Sequence, residues 1–225
     1  MSINIKKYNE ILEELNGKAT LVAVSKTKPI EDIKALYELG QRDFGENYVQ
    51  ELVEKYEQLP KDIHWHFIGH LQSNKVRYIA PFVHLIHGVD SLSLLKELNK
   101  QALKNNRIIS CLLQIHIAKE ETKFGLDGHE LQELTRIIKS DEDLKNICVK
   151  GLMGMASFSN NTSLVRSEFK YLKSLFDVNA QLSAVNYKLS TLSIGMSSDY
   201  TLALEEGSNM VRIGSLLFGE RNTIK

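Results

Sequence analysis

Eight short apolar runs alternate with amphipathic segments along the 225 residues of this chain, and this alternation restricts the possible folds more than any other feature. The runs that we interpret as β-strands cover residues 21–26, 43–46, 64–69, 83–89, 108–117, 149–156, 189–194 and 210–214. Strands that alternate with helices predict a parallel sheet. Eight repeats, in a chain near the ~250 residues typical of such barrels, predict an α/β fold, a single-domain (β/α)8 TIM barrel. The alternative is an open, doubly wound sheet.

The segments around the strands carry apolar residues at helical spacing. They predict helices over residues 3–16, 29–40, 47–59, 73–79, 91–105, 127–139, 162–184 and 198–206. The helix over 3–16 is an extra N-terminal helix. Because the tail from Leu216 to Lys225 is too short for a full helix layer, we expect this extra helix to complete the outer ring. No low-complexity linker divides the chain, so we predict one domain over residues 1–225.

The charge balance argues against capture of nucleic acid or of a membrane surface. The chain has 28 basic and 28 acidic residues, so its formal net charge is zero and no global field attracts either partner. No apolar run approaches the roughly 20 residues that a transmembrane helix needs. The first ten residues lack the apolar core of a signal peptide, so we expect a cytoplasmic protein.

The cysteines and histidines give no sign of a disulfide or a metal. Cys111 and Cys148 lie in apolar, strand-like stretches, which indicates buried free thiols. His64 and His66 share one face of a predicted strand, but no cysteine or carboxylate pattern joins them. We therefore predict no metal site.

Lys26 stands at the end of the first predicted strand, Leu21-Val22-Ala23-Val24-Ser25-Lys26, and Pro29 follows shortly afterwards. The carboxyl ends of parallel strands are where α/β proteins bind ligands. One interpretation is an ordinary solvated lysine. The other is a half-buried amine that is neutral enough to form a Schiff base with an aldehyde.

The loops after the last two strands have the composition of a phosphate-binding site. Gly195-Met196-Ser197-Ser198-Asp199 leads into a predicted helix, and Gly214-Ser215 follows the eighth strand. Glycine permits close backbone approach, and hydroxyls and amides donate hydrogen bonds. In this fold the loops after strands seven and eight often bind phosphate, although two capped turns without a ligand are the alternative.

A strand-end lysine together with a phosphate site predicts an aldehyde phosphate ligand, and pyridoxal 5'-phosphate (PLP) is the most economical candidate. Arg212 lies two residues before Gly214, so it either forms a salt bridge in the barrel or donates a hydrogen bond to the pyridine nitrogen. Arginine keeps its proton, with a pKa above about 12. An arginine there would leave the ring a weak electron sink and make carbanion chemistry unfavourable.

Seven motifs, which occur in family order along most of the chain, resemble those of the pyridoxal phosphate homeostasis protein family, whose barrel is similar to the N-terminal domain of alanine racemase. They include Ala23-Val24-Ser25-Lys26-Thr27 and Leu192-Ser193-Ile194-Gly195-Met196-Ser197-Ser198-Asp199. The others lie at residues 44–48, 66–75, 122–126, 151–153 and 211–219. Ile194 stands where methionine is common in the family, a volume-conserving change.

The resemblance implies a role for each matching residue. Lys26 would carry PLP as a Schiff base, and Arg212 would face the ring nitrogen. The phosphate would lie among Ser197, Ser198, Gly214 and Ser215, and the pocket would also be lined by Asn47, His66 and Met196. Lys123 either helps to receive or release PLP or is a solvated loop lysine.

The predicted function is a PLP-binding protein of intracellular PLP homeostasis, monomeric and without efficient catalysis, which stores PLP and delivers it to PLP-dependent apoenzymes. The first alternative is a PLP-dependent amino-acid racemase. Alanine racemase takes its second base, a tyrosine, from a further domain of a partner chain. This sequence ends just past the eighth strand, so we expect no such domain. The second alternative is a phosphosugar enzyme in which Lys26 attacks a carbonyl substrate.

Overall fold

A computed structural model describes residues 3–120, 124–182 and 184–219 of the chain. In these ranges eight parallel strands form a closed barrel in sequence order. The strands are β1 (Thr20–Val24), β2 (Asp43–Glu46), β3 (His64–Phe67), β4 (Leu85–Val89), β5 (Ile109–Ile115), β6 (Ile147–Gly154), β7 (Tyr187–Met196) and β8 (Met210–Ile213). Pairing of Leu21 in β1 with Val211 in β8 closes the ring. The predicted (β/α)8 barrel with an extra N-terminal helix is therefore confirmed.

The helices surround the barrel. They are α1 (Ile5–Leu15), α2 (Ile30–Glu38), α3 (Val49–Gln58), α4 (Val76–Ile79), α5 (Leu92–Lys104), α6 (Gly128–Ser140), α7 (Thr162–Ala180), α8 (Tyr200–Glu205) and α9 (Ser215–Phe218), with a 3-10 turn over Ser73–Lys75. Local capping starts several of them: Asp127 and Glu130 form a capping box at α6, and the Ser91 side chain accepts the Leu94 amide at α5. Two helices differ from the prediction. Residues 73–75 form the 3-10 turn, and α7 ends at Ala180, before the predicted end at residue 184.

The core has two parts. The larger cluster lies between the strands and the helices. The smaller one brings together Val22, Leu85, Leu112, Met153 and Met210, which come from five different strands. Side chains from β1 and β5 can meet only across the barrel, so this second cluster fills the barrel interior.

Helix α1 packs against the short C-terminal helix α9, as the sequence predicted. The amide of Asn4 donates to the carbonyl of Leu217 over 2.7 Å. The N-terminal helix thereby covers the part of the outer ring that α9 is too short to fill. Among the described residues, no helix is long and apolar enough to cross a membrane.

Candidate functional site

A cavity of about 430 Å³ opens at the carboxyl ends of the strands. It is lined by Val24, Lys26, Lys28, Asn47, Ile68, Met155, Phe158, Met196, Ser197, Ser198, Arg212, Gly214, Ser215 and Gly219. The barrel thus brings together every cofactor-binding residue that the sequence predicted except His66. Their contact with a cofactor stays a prediction.

Lys26 lies two residues beyond the end of β1 and is half-buried. Thr27, the next residue, has φ = 62°, in the left-handed region that β-branched residues rarely adopt. Its amide donates to Oε1 of Glu51 over 2.6 Å, and this bond offsets part of the backbone strain. The strained turn sits directly against the candidate nucleophile and limits the directions in which Lys26 can point.

A buried charge network holds the other side of the same turn. The Ser25 hydroxyl donates to Oε1 of Glu46 over 2.6 Å. The ammonium of Lys55 donates to the Ser25 carbonyl over 2.8 Å, to Glu46 Oε1 over 2.8 Å and to Glu51 Oε1 over 2.7 Å. Because Glu51 also binds the Thr27 amide, one network fixes the backbone on both sides of Lys26.

Burial disfavours the charged form of Glu46 in this network. Burial raises its pKa to about 7, although Lys55 and the Ser25 hydroxyl act in the opposite direction. Its second oxygen, Oε2, has no hydrogen-bond partner among the described residues. The neutral and the charged form of this carboxyl group are therefore both populated near neutral pH.

The predicted phosphate site is a cluster of small residues after β7 and β8. A turn over residues 197–199 follows β7, and the Met196 amide donates to Asp199 Oδ1 over 2.6 Å. The Gly214 amide donates to the Ser197 hydroxyl oxygen over 3.2 Å, which joins the two loops. Gly195 has φ = 97°, and a Cβ there would lie 2.7 Å from the Cβ of Ala203, so only glycine fits.

Asn47 lines the cavity and has an unsatisfied side-chain oxygen. Its Oδ1 is buried and has no hydrogen-bond partner among residues 3–120, 124–182 and 184–219. Gly69 allows this arrangement, because a Cβ at that position would lie 2.4 Å from the Asn47 carbonyl oxygen. A buried polar atom without a partner is costly, so an unpaired oxygen on a residue that lines the cavity favours a ligand that hydrogen-bonds to it.

Arg212 lies at the floor of the cavity and is almost fully buried. Its Nη1 donates to the carbonyl and the hydroxyl oxygen of Ser193 over 2.8 and 2.6 Å, and its Nη2 donates to the Gly154 carbonyl over 3.0 Å. Burial lowers the pKa of Arg212 to about 10, while Asp199 acts in the opposite direction. The guanidinium therefore stays charged at neutral pH.

His66 lies deeper in the barrel and does not line the cavity. Its Nδ1 is 2.9 Å from Nε2 of His87, and its Nε2 is 2.9 Å from Oδ1 of Asp43. His87 continues towards the cavity, with its Nδ1 3.4 Å from the Ser193 hydroxyl that accepts from Arg212. A chain of polar contacts thus connects Arg212 to Asp43 through the barrel interior.

The structure adds lining residues that the sequence analysis did not select. Lys28 donates to the carbonyls of Phe218 and Gly219 over 2.8 and 3.2 Å, so it links the first loop to the end of the described chain. Phe158 is 88% exposed at the mouth of the cavity. In the sequence, the signal for Phe158 was a phenylalanine within the otherwise polar stretch 157–161. Lys123 lies outside the described residues.

The barrel and its strand-end cavity, with a lysine after the first strand and hydroxyls after the last two, define a ligand-binding (β/α)8 barrel protein. The family model of the alanine racemase N-terminal domain matches residues 2–222. The pyridoxal phosphate homeostasis protein of Aquifex aeolicus is 43% identical over 204 residues, which are 90% of this chain and 87% of that protein. The homologue of the same name from Schizosaccharomyces pombe is 37% identical over 221 residues, or 96% of this chain and 91% of its own length.

A solved structure agrees with these relatives. PipY of Synechococcus elongatus with PLP bound superposes with a TM-score of 0.86 at 33% identity, and the match covers 95% of this chain and 99% of PipY. The chain therefore belongs to the pyridoxal phosphate homeostasis protein family, within the wider group of alanine racemase N-terminal domains.

Proposed function

We propose that this chain binds PLP through a Schiff base on Lys26 and acts in intracellular PLP homeostasis. It holds the cofactor, limits the free aldehyde and delivers PLP to apoenzymes that depend on it. The observation that carries the proposal is that Lys26, the serines of the two last loops and Arg212 line one cavity. The names of the relatives and the PLP in the PipY structure support the same ligand.

The residues of the cavity fit the chemical groups of PLP. The amine of Lys26 condenses with an aldehyde and releases one water molecule. The hydroxyls of Ser197, Ser198 and Ser215 suit the phosphate, since all three serines line the cavity and a hydroxyl can donate a hydrogen bond. The unsatisfied Asn47 Oδ1 gains a partner from a polar group of the ligand. The volume of about 430 Å³ lies within the range of small-molecule sites.

The stable positive charge of Arg212 favours a carrier over a catalyst. Bound PLP supplies an electron sink that is strong only when its ring nitrogen is protonated. In our proposal the Arg212 guanidinium donates a hydrogen bond to that nitrogen and keeps its own proton, because its pKa stays near 10. The residue therefore orients the ring without supplying the proton that carbanion chemistry requires.

The cavity also offers few groups for moving a proton. Among the described lining residues, Lys26, Lys28 and Arg212 are the ionisable ones. Lys28 already donates two hydrogen bonds to backbone carbonyls. A two-base racemisation needs a second proton carrier on the opposite face of the substrate carbon, and these residues are poorly suited to that role.

We also propose that the protein acts in the cytoplasm and as a monomer. Cys111 and Cys148 are free thiols, which suits the reducing cytoplasm. A single chain supplies the lysine, the phosphate-binding loops and the arginine, so the proposed carrier works as a monomer.

The test is reductive trapping. The purified chain is mixed with PLP, its absorbance spectrum is recorded, and borohydride reduction is followed by peptide mass mapping. We expect one pyridoxyl label on Lys26, which Lys26→Ala abolishes. The matched variant Lys100→Ala, which removes an exposed lysine of α5, should retain the label. Label scattered over surface lysines would overturn PLP binding at this site. Turnover of amino-acid enantiomers at an enzymatic rate, measured by circular dichroism, would overturn the carrier role.

A further inference from the structure

We propose that Asp43, His66 and His84 bind a divalent transition-metal ion of the zinc type near the amino-terminal end of the barrel. One ligand atom from each of these residues lies within 4.8 Å of the others. The group stands at the opposite end from the Lys26 cavity, because Asp43 begins β2 and His84 directly precedes β4.

The strand pairing brings the three residues together from separate parts of the sequence. Asp43 pairs with His64 across β2 and β3, and His66 lies two residues further along the same face. The His84 amide donates to the Trp65 carbonyl over 2.9 Å, which fixes the third ligand beside β3. Asp43 Oδ1 then lies 2.9 Å from His66 Nε2. The sequence analysis found no carboxylate pattern that joins His64 and His66, but the fold brings Asp43 to them from the neighbouring strand β2.

Two imidazoles and a carboxylate form a donor set that suits zinc and related ions. Two ligand atoms on a tetrahedral zinc ion are about 3.4 Å apart, given metal–ligand distances near 2.0–2.2 Å. His66 is buried and fixed, whereas Asp43 is half-buried and His84 is exposed, so the last two residues can adjust. The exposed side leaves room for water in the remaining position.

His66 has the second contact that metal-bound histidines usually make. Its Nδ1 is 2.9 Å from Nε2 of His87, which is completely buried. The 2.9 Å contact between His66 Nε2 and Asp43 Oδ1 holds a proton when no ion is bound. An ion at Nε2 takes the place of that proton, and the Nδ1–H of His66 then donates to His87 Nε2. His64 covers the site from outside: its ring stacks on His84 at 4.3 Å between centroids, and its Nδ1 is 3.3 Å from Asp43 Oδ1.

The experiment is a zinc titration of the full chain after treatment with a chelator, followed by calorimetry, with cobalt(II) absorbance as a second readout. We expect one zinc ion per chain. His84→Ala and Asp43→Asn should each weaken binding at least about 10-fold, because loss of even an outer-shell partner costs 10–100-fold. His84 is exposed, so its replacement leaves the core intact. His129→Ala removes an exposed histidine of α6 and should leave the affinity unchanged.

Two outcomes would overturn the proposal. One is no saturable zinc binding, in which case Asp43 and His66 form a hydrogen bond only. The other is binding that neither His84→Ala nor Asp43→Asn weakens, which would place the ion elsewhere. Lys26→Ala should bind zinc as tightly as the unmodified chain, so the result does not depend on whether the cavity holds PLP.

Discussion

Nζ of Lys55 in α3 lies 2.8 Å from Oε1 of Glu46 at the end of β2, and both side chains are buried. The pair is also bonded to the Ser25 carbonyl and hydroxyl, one residue before Lys26. A helix on the outside of the barrel is thereby linked, through buried charges, to the turn that carries the proposed nucleophile. Such a network positions Lys26 through residues that do not line the cavity.

Lys55→Met should destabilise the protein by about 3–5 kcal/mol, because it leaves Glu46 buried without its counter-ion. Urea unfolding at pH 7.5 measures this free energy. The matched control is Lys173→Met, which breaks an exposed pair with Asp177 and should cost at most about 1 kcal/mol. If the two variants lost the same stability, the buried pair would have no special role.

Glu46 should make the stability pH-dependent. Its pKa rises from the ordinary 4.5 when unfolded to about 7 when folded, chiefly because of burial. Between these values the folded state binds more protons than the unfolded state, so the free energy of unfolding falls as the pH rises from about 5 to 8. The contribution is fully present below the lower value and is lost as the pH passes the upper one.

Glu46→Gln isolates this effect, because glutamine does not titrate. The stability of the unmodified chain relative to Glu46→Gln should fall by roughly 2–3 kcal/mol between pH 5 and 8. Urea unfolding at several pH values gives the difference. A difference that stays constant with pH would show that Glu46 has the same pKa in both states.

The alternation of strands and helices was enough to predict the barrel, because it depends on periodicity repeated over the whole chain. The ends of elements depend on single tertiary contacts. Helix α7 stops at Ala180 rather than at residue 184, and Asn179, in its last turn, accepts a hydrogen bond from the Tyr187 hydroxyl over 3.1 Å. The spacing of apolar residues along the sequence does not reveal a hydrogen bond between two side chains, so the predicted helix was too long.

The candidate site was predictable where a residue follows a strand, as Lys26, Ser197 and Gly214 do. The prediction that His66 lines the pocket was wrong, because a position near the end of a strand does not show how deep in the barrel the side chain lies, below the cavity at the carboxyl ends of the strands. The Lys55–Glu46 pair was missed for another reason. In the sequence Lys55 has only Glu51 at i−4, a spacing typical of surface pairs, and its buried partner comes from a different element.

Asn47→Ala should separate stability from binding. The unsatisfied Oδ1 contributes nothing to the cofactor-free fold, so the variant should unfold at the same urea concentration or a higher one. Loss of one hydrogen bond to PLP should lower the affinity about 5- to 10-fold, as measured by titration of the absorbance. Unchanged affinity would mean that the ligand does not contact Asn47.

Arg212→Lys tests the group at the floor of the cavity. Lysine cannot reproduce the fork that binds Ser193 and Gly154, so its ammonium should miss the ring nitrogen. We expect about 10-fold weaker PLP binding or more, since a hydrogen bond from a charged group contributes about 1.5–3 kcal/mol. The borohydride label should still appear on Lys26, because the covalent bond forms at another residue. Arg166→Lys, which alters an exposed pair with Glu205, is the matched control and should bind PLP normally. Equal affinities for the two variants would show that Arg212 only supports the barrel.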